Sequence, residues 1–434
     1  MLWYSIFRFR PVQAPQTSYS CGMKKWMYVA ACLVLPLGAQ EWTQMRGPNG
    51  TGISDAKTVP VAFSEQDFNW RVPVAGKGYS SPVCWGDHIF LTTCTDTEQG
   101  KRSLLCIRSK DGQLAWEKTF TFAPYGLHKF SSYASETPVV DAESIYLWWT
   151  ENGQRVALAL DHDGNLRWRR ELGPVETQHG TGNSPVLYKD VLILPNDCWK
   201  AGAFIAGLDK KTGETRWRVE RKNEKGAYIS PLILEPADGP PQAIFVSTDH
   251  GMTALHPLTG AQVWEEPLGF SNRSVGSPVF CDGVVFVTAG SGGAGKESAA
   301  VRPGTIERGP ETVYKLTKTL PYVPWIISKD GLMYLWTDAG LVTCVEGATG
   351  KTVWQERVGG SYFSSPVCVD GKLYAADNTG GMAVIATGRS FDKLAQNELG
   401  EGVYATPAIH QGAMYIRTYG HLISVGGKVP AGTE

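Results

Sequence analysis

The chain of 434 residues carries 41 Lys and Arg against 42 Asp and Glu, a net charge of −1. No broad positive field exists to hold a nucleic-acid backbone or an anionic bilayer. Its 49 Gly, 26 Pro, 15 Trp and 17 Tyr, with only 19% charged residues, exclude extended disorder and point to a turn-rich β protein with a large apolar core.

Met23-Lys24-Lys25 and the apolar run that follows to Ala39 have the charged start, hydrophobic middle and small-residue end of a secretory leader. Met23 reads as the true start, residues 1–22 as an upstream extension and Ala39 as the cleavage point. The mature protein is expected to be exported, periplasmic or extracellular. It is expected to have no integral span, because the run falls short of the roughly 20 residues a helix needs to cross. Val29-Ala30-Ala31-Cys32 looks like a lipoprotein box, but hydrophobic residues continue past Cys32, which argues against lipid anchoring. Without Cys21 and Cys32 seven cysteines remain, with no Cys-x-x-Cys pair, so neither a full disulfide framework nor a structural zinc site is indicated. Most read as small buried apolar residues. Residues 40–67 read as an extended N-terminal segment.

From there a short phrase recurs, Ser or Thr, then Pro, then apolar residues. It stands at Pro82, Pro138, Pro185, Pro231, Pro278, Pro366 and Pro407, with a degenerate copy at Pro324. The intervals of 56, 47, 46, 47, 46, 42 and 41 residues suit one four-stranded blade each. A second landmark keeps phase with the first: a turn Gly followed four residues later by Trp, at Gly112/Trp116, Gly164/Trp168, Gly213/Trp217, Gly260/Trp264 and Gly350/Trp354. The Gly supplies a positive-φ turn, and the Trp on the outer strand docks between neighbouring blades. Blade five lacks such a Trp and has an insertion from Ser291; blade seven offers Gly388 and Phe391 instead.

The last repeat supplies three strands and stops at Gly426-Gly427, one short. Asn69–Val74, carrying Trp70, precedes the first Ser-Pro phrase as the other outer strands precede theirs, and is expected to complete blade eight and close the ring. The fold expected is therefore all-β, an eight-bladed propeller over 68–427 built of four-stranded antiparallel blades, with 428–434 as a tail. A monomer is expected.

The phrases Ala159–Trp168 and Gly207–Trp217 resemble the repeat of PQQ-dependent alcohol dehydrogenases and their non-catalytic exported relatives, among them the propeller lipoprotein of the outer-membrane β-barrel assembly machinery. The resemblance covers about residues 68–427, and the opening Glu41–Ser54 is similar to the W-x-x-x-R-G-P-N-G start of the exported group. For the dehydrogenases it implies quinone held by an adjacent-cysteine disulfide and a Trp floor, with calcium on Glu, Asn and a catalytic Asp. This chain has no Cys-Cys dipeptide and is shorter than members with that activity, so neither PQQ nor calcium is expected as a cofactor.

Other chemistries find little support. Gly290, Gly292, Gly295 and Lys296 match phosphate-loop and dinucleotide spacings, but Glu-Ser-Ala-Ala-Val-Arg-Pro follows where a helix is required. An inter-strand loop is expected there. Asp161-His162-Asp163 and Asp249-His250 read as turns, no His-x-His or His-Glu-x-x-His occurs, and no Gly-x-Ser-x-Gly elbow occurs. No catalytic residue and no metal ligand is assigned.

What remains is the face where the segments between blades converge on the axis. The first of them carries Tyr79; the long second carries His128, Lys129, Tyr133 and Glu136. His179 with Asn183, then Tyr228, Arg273, Tyr362 and Tyr404 follow on the others. Aromatic rings with a few charges suit a protein or glycan partner. The reading is a non-catalytic exported scaffold binding through this funnel face, with a quinone-dependent oxidoreductase and a carbohydrate-active propeller as the alternatives.

Overall fold

The computed structural model describes residues 41–427 except 178, 200, 201 and 306. The leader, its cleavage point, Cys32 and the C-terminal tail lie outside the described residues. The strands form eight antiparallel four-stranded sheets, one of them with a fifth strand at its edge, so the expected eight-bladed propeller is what the chain adopts. Blade 1 runs Val83–Trp85, His88–Asp96, Lys101–Arg108, Leu114–Thr121, from the inside outward. In the eighth sheet Ala408–His410, Ala413–Arg417 and His421–Gly426 are followed by Phe68–Pro73, with Trp70 opposite Ser424. Hydrophobic cores lie between successive sheets. All seven described cysteines are buried, and none forms a disulfide with another described cysteine.

The Gly and Trp landmarks belong to one inter-blade joint. Each Trp lies over the turn glycine of the next blade: Trp70 over Gly112, Trp116 over Gly164, Trp168 over Gly213 and Trp217 over Gly260. The indole N–H donates into the same turn, from Trp70 to the Ser109 carbonyl at 3.0 Å, from Trp116 to His162 at 2.9 Å and from Trp168 to Lys210 at 2.9 Å. A bulge aims the ring. In all eight outer strands the register slips at the residue just before the docking position, as between Leu114 and Trp116, which turns the indole toward the neighbouring blade.

The bulge also locates the exceptions. In blade 5 Tyr314 takes the Trp position and donates to the Gly347 carbonyl at 2.6 Å, over Gly350. In blade 7 the position falls on Ala395, not Phe391, because the slip lies between Lys393 and Ala395. Phe391 instead packs edge-on against Trp354, whose N–H reaches the Gly388 carbonyl at 3.0 Å. Trp264 reaches the next blade through Gln242, whose amide donates to the Gly304 carbonyl.

The segment from Ser291 is not a long loop. Gly292 and Gly293, at φ 65° and 75°, make the tight turn a two-residue hairpin demands, and Ala294–Arg302 returns as the third strand of blade 5. Lys296 therefore lies on a strand, with no helix to face a phosphate.

The Ser/Thr-Pro phrase explains itself at the inner strands. At five joints the hydroxyl before the Pro accepts a backbone N–H from the preceding blade: Ser81 to Thr137, Thr137 to Ser184, Ser230 to Ser277, Ser365 to Thr406 and Thr406 to Ser81. In blade 6 the phrase at Pro324 is two residues out of phase. The inner strand begins at Ile327, as blade 1 begins at Val83, so Trp325 holds the Ser/Thr position and donates to Ser365 at 3.0 Å. Ser365→Ala leaves that buried N–H without an acceptor and should cost about 1–3 kcal/mol, read as a lowered Tm.

Residues 42–54 do more than extend the chain. The Trp42 carbonyl accepts the N–H of Cys84 in blade 1, and the Thr43 carbonyl that of Val140 in blade 2. Asn49 exchanges two bonds with Ile233 of blade 4. Arg46 donates to the carbonyls of Ile326 and Pro366, and Ile53–Ser54 pairs in parallel with Val367–Val369 of blade 7. A segment bonded to inner strands on opposite sides of the ring crosses the axial channel and plugs it. Gly47, at φ 67°, lets Trp42 lie against the backbone; a Cβ there would come within 2.4 Å of the indole.

Candidate functional site

Above the plug the connections between blades enclose a cavity of about 600 Å³ to which all eight contribute. Its floor is the hydroxyl circle, through Ser81, Thr137, Ser184, Ser365 and Thr406, together with Met45 of the plug and Trp325. Trp325 could not be a hydroxyl residue and still serve as it does, because its ring covers the Arg46 guanidinium at 5.3 Å. Burial lowers Arg46 to a pKa of about 9.

One wall is a run of aromatic rings. Tyr79 stacks on Tyr404 at 4.6 Å, Tyr404 on Phe363 at 4.7 Å, and Phe363 meets Phe130 at 5.0 Å. Phe130 leads to His128, which is edge-on to His179 at 5.1 Å. The long connection between blades 1 and 2 thus arches over the mouth to touch the connection between blades 6 and 7. The facing wall holds Arg273 beside Tyr228 and Tyr322, and the Gly292-Gly293 turn. Burial pushes the Tyr79 and Tyr228 phenols up to about 12, so both stay neutral donors across the ordinary pH range. Lys77 and Lys129 lie over the rings of Tyr79 and Phe130.

Of the residues singled out in the sequence, Tyr79, His128, His179, Tyr228, Arg273 and Tyr404 meet in this cavity. Lys129 stands at its rim. The other four do not line it. Glu136 is buried beneath the arching loop, paired with Arg155 at 3.1 Å. Tyr133 donates to the Tyr125 carbonyl and Asn183 to that of Ala227. Tyr362, 2% exposed, packs edge-on against Trp336. Phe130, Phe363, Tyr322, Trp325 and Met45 were missed; Phe130 and Phe363 sit one or two residues from positions that were named.

Asp338 lies just behind Tyr322 and accepts its N–H and that of Val323. Burial raises its carboxyl to about 6 from 3.8. The folded chain therefore holds this proton more tightly than the unfolded chain, so the group's stability contribution is full below 3.8 and is lost as pH rises through about 6. Asp338→Asn should gain in Tm relative to the parent between those two values and then hold a constant offset, as melts across that range would record.

Among the described residues lining the cavity there is no carboxylate and no carboxamide, and no group of three or more His, Cys, Asp or Glu side chains could hold a metal. The donors present do not fit a calcium-bound quinone held by Glu, Asn and Asp. Among the described residues no helix is long and apolar enough to cross a membrane.

A family model described as outer membrane protein assembly factor BamB matches residues 38–204, 198–308 and 323–395. No curated protein matches the chain by sequence. Among solved structures, BamB from Moraxella catarrhalis aligns with a TM-score of 0.58 at 16% identity, over 84% of this chain and 100% of its own. A quinohemoprotein alcohol dehydrogenase from Comamonas testosteroni aligns at 0.61 and 12% identity, over 91% and 82%. The computationally designed Ika8 protein aligns at 0.56 and 10% identity, over 85% and 99%. An assembly factor, an oxidoreductase and a designed chain share this fold, so the fold alone does not assign chemistry.

Proposed function

The chain belongs to the family described as outer membrane protein assembly factor BamB, and from that premise we propose that it is an exported, non-catalytic scaffold that binds a protein or glycan partner in the mouth of its funnel. One observation carries the reading: a cavity of about 600 Å³, fed by all eight inter-blade connections and walled by aromatic rings, has no carboxylate among its described lining residues. Hydrolysis of a glycoside needs two carboxyl groups about 5–10 Å apart across the scissile bond, and proton abstraction from an alcohol needs a base within hydrogen-bond reach. The described lining residues supply no pair of carboxyl groups, and the bases they offer are the imidazoles of His128 and His179. Aromatic rings and hydroxyls on rigid blades, by contrast, give contact area at little entropic cost.

The rival reading is a quinone-dependent oxidoreductase, favoured by the likeness in fold to the Comamonas enzyme. Adding PQQ and calcium to purified protein separates the two. The scaffold reading expects no stoichiometric chromophore and no dye-coupled alcohol oxidation; appearance of both would overturn it.

A further inference from the structure

The long connection between blades 1 and 2 is held unevenly along its length. Its two stems are anchored. Phe122, Ser132, Ala134 and Glu136 are at most 5% exposed. The Phe122 N–H donates to the Gly100 carbonyl at 2.8 Å, and the Ala134 carbonyl accepts the N–H groups of Tyr79 and Ser80 at 2.9 and 3.0 Å. Tyr133 ties the stems together, its ring edge-on to Tyr125 at 4.9 Å and its hydroxyl donating to the Tyr125 carbonyl at 2.6 Å. The tip, residues 126–131, is held differently, and none of its residues is buried. The His128 N–H reaches the His179 carbonyl at 3.3 Å, Leu127 lies over Gly180, and Phe130, 42% exposed, meets Phe363 at 5.0 Å between ring centres. His128, Phe130 and Ser131 of this tip line the cavity. A segment with few buried apolar atoms and solvent-exposed hydrogen bonds opens at far lower free energy than the sheets to which it is tied.

Resting on the funnel-mouth reading, we propose that residues 126–131 form a lid that swings on the two stems, with Phe130 on Phe363 as its latch, and that a partner reaches the depth of the cavity when the latch is released. The latch joins the connection after blade 1 to the connection after blade 6, so it spans the entrance, and no stem contact has to break for it to part. Phe363 in turn stacks on Tyr404 at 4.7 Å, and Tyr404 on Tyr79 at 4.6 Å. The ring that receives the latch is therefore fixed from behind, and the lid is the side that moves. A ring pair contributes a factor of about two to ten beyond the area it covers, a bias small enough for a partner that prefers the open form to reverse. Closure of this kind lets a rigid scaffold hold a ligand without any movement of its blades.

The test measures access to the wall facing the lid. Val275 lines the cavity two residues on from Arg273, and Val275→Cys in the full chain places a thiol there; the seven described native cysteines are buried, and the parent gives the background. Labelling of that thiol by a bulky maleimide dye should quicken about two- to tenfold when Phe130→Ala is added and stay unchanged with Phe130→Tyr, which keeps the ring. Phe363→Ala should quicken it as well, and the double variant no more than the faster single, since one contact can be lost only once. Leu394→Cys, on an outer strand, should label at the same rate in every background, and thermal melts check that each variant is folded. In the parent, the His128 amide should be protected from exchange about tenfold or more weakly than that of Ser80, which bonds to a stem. Labelling unchanged in both alanine variants, additive gains in the double variant, or equal protection of His128 and Ser80 overturns the lid. If the latch gates labelling but no partner crosslinks at the mouth, the funnel-mouth reading falls and the lid stands; if a partner crosslinks there and labelling is not gated, the lid alone falls.

Discussion

Trp42→Ala should lower the unfolding free energy by about 3–5 kcal/mol, the range for truncating a fully buried aromatic. Trp42 is 0% exposed and belongs to the core shared by blades 1, 7 and 8, so its loss leaves a void where three sheets meet. It also unseats the plug. Without the indole against Gly47, the turn that carries Arg46 beneath Trp325 loses one of its packing surfaces, which loosens Met45 in the cavity floor. Denaturant melts measure the first effect. The second should appear as faster amide exchange at Cys84 and Cys368, whose N–H groups bond to Trp42 and Gly52, with exchange at the outer strands unchanged.

Gly260→Ala should cost about 2–5 kcal/mol, from two separable sources. A non-glycine residue at φ 70° carries roughly 1–2 kcal/mol of left-handed strain, and a Cβ there would stand 2.7 Å from the Trp217 ring, overpacking worth about 1–3 kcal/mol. Gly269 provides the control. It has φ 68° but nothing within 4 Å of its Cβ position, so Gly269→Ala should show the strain alone. Equal losses at the two sites would mean that the indole does not rest on the turn.

Those joints mark how much of the molecule was legible in the chain. The spacing of Gly112 and Trp116 and its repeats gave blade number and phase, since a positive-φ turn and a large docking side chain are properties of the residues themselves. That the Trp of one blade rests on the Gly of the next was not legible, because the motif joins residues that contact different neighbours. The bulge is likewise invisible in composition: only pairing register reveals that Ala395, and not Phe391, holds the docking position. Pro324 misled because a proline next to apolar residues looks like the repeat even when its register is two residues off.

The funnel was legible as a place but less so as a set of side chains. Tyr79, Tyr404 and Arg273 were found because short connections have few ways to point. On the long connection, Glu136 and Tyr133 turned inward to serve Arg155 and Tyr125, while Phe130 crossed the mouth to Phe363. Nothing in local spacing distinguishes a residue that folds under its loop from one that reaches over it. The plug was missed for a related reason, since Glu41–Ser54 has no period and its bonds go to strands 42 to more than 300 residues away.

Partners are expected to engage the mouth of the funnel and not the outer edges of the blades. A photo-activated side chain placed at Phe130, which is 42% exposed at the mouth, and separately at Leu394, which is 37% exposed on an outer strand, tests it in an envelope extract. A discrete crosslinked species from Phe130, competed away by excess unlabelled protein and absent from Leu394, is the predicted result. Crosslinking from Leu394 with none from Phe130 would contradict the claim.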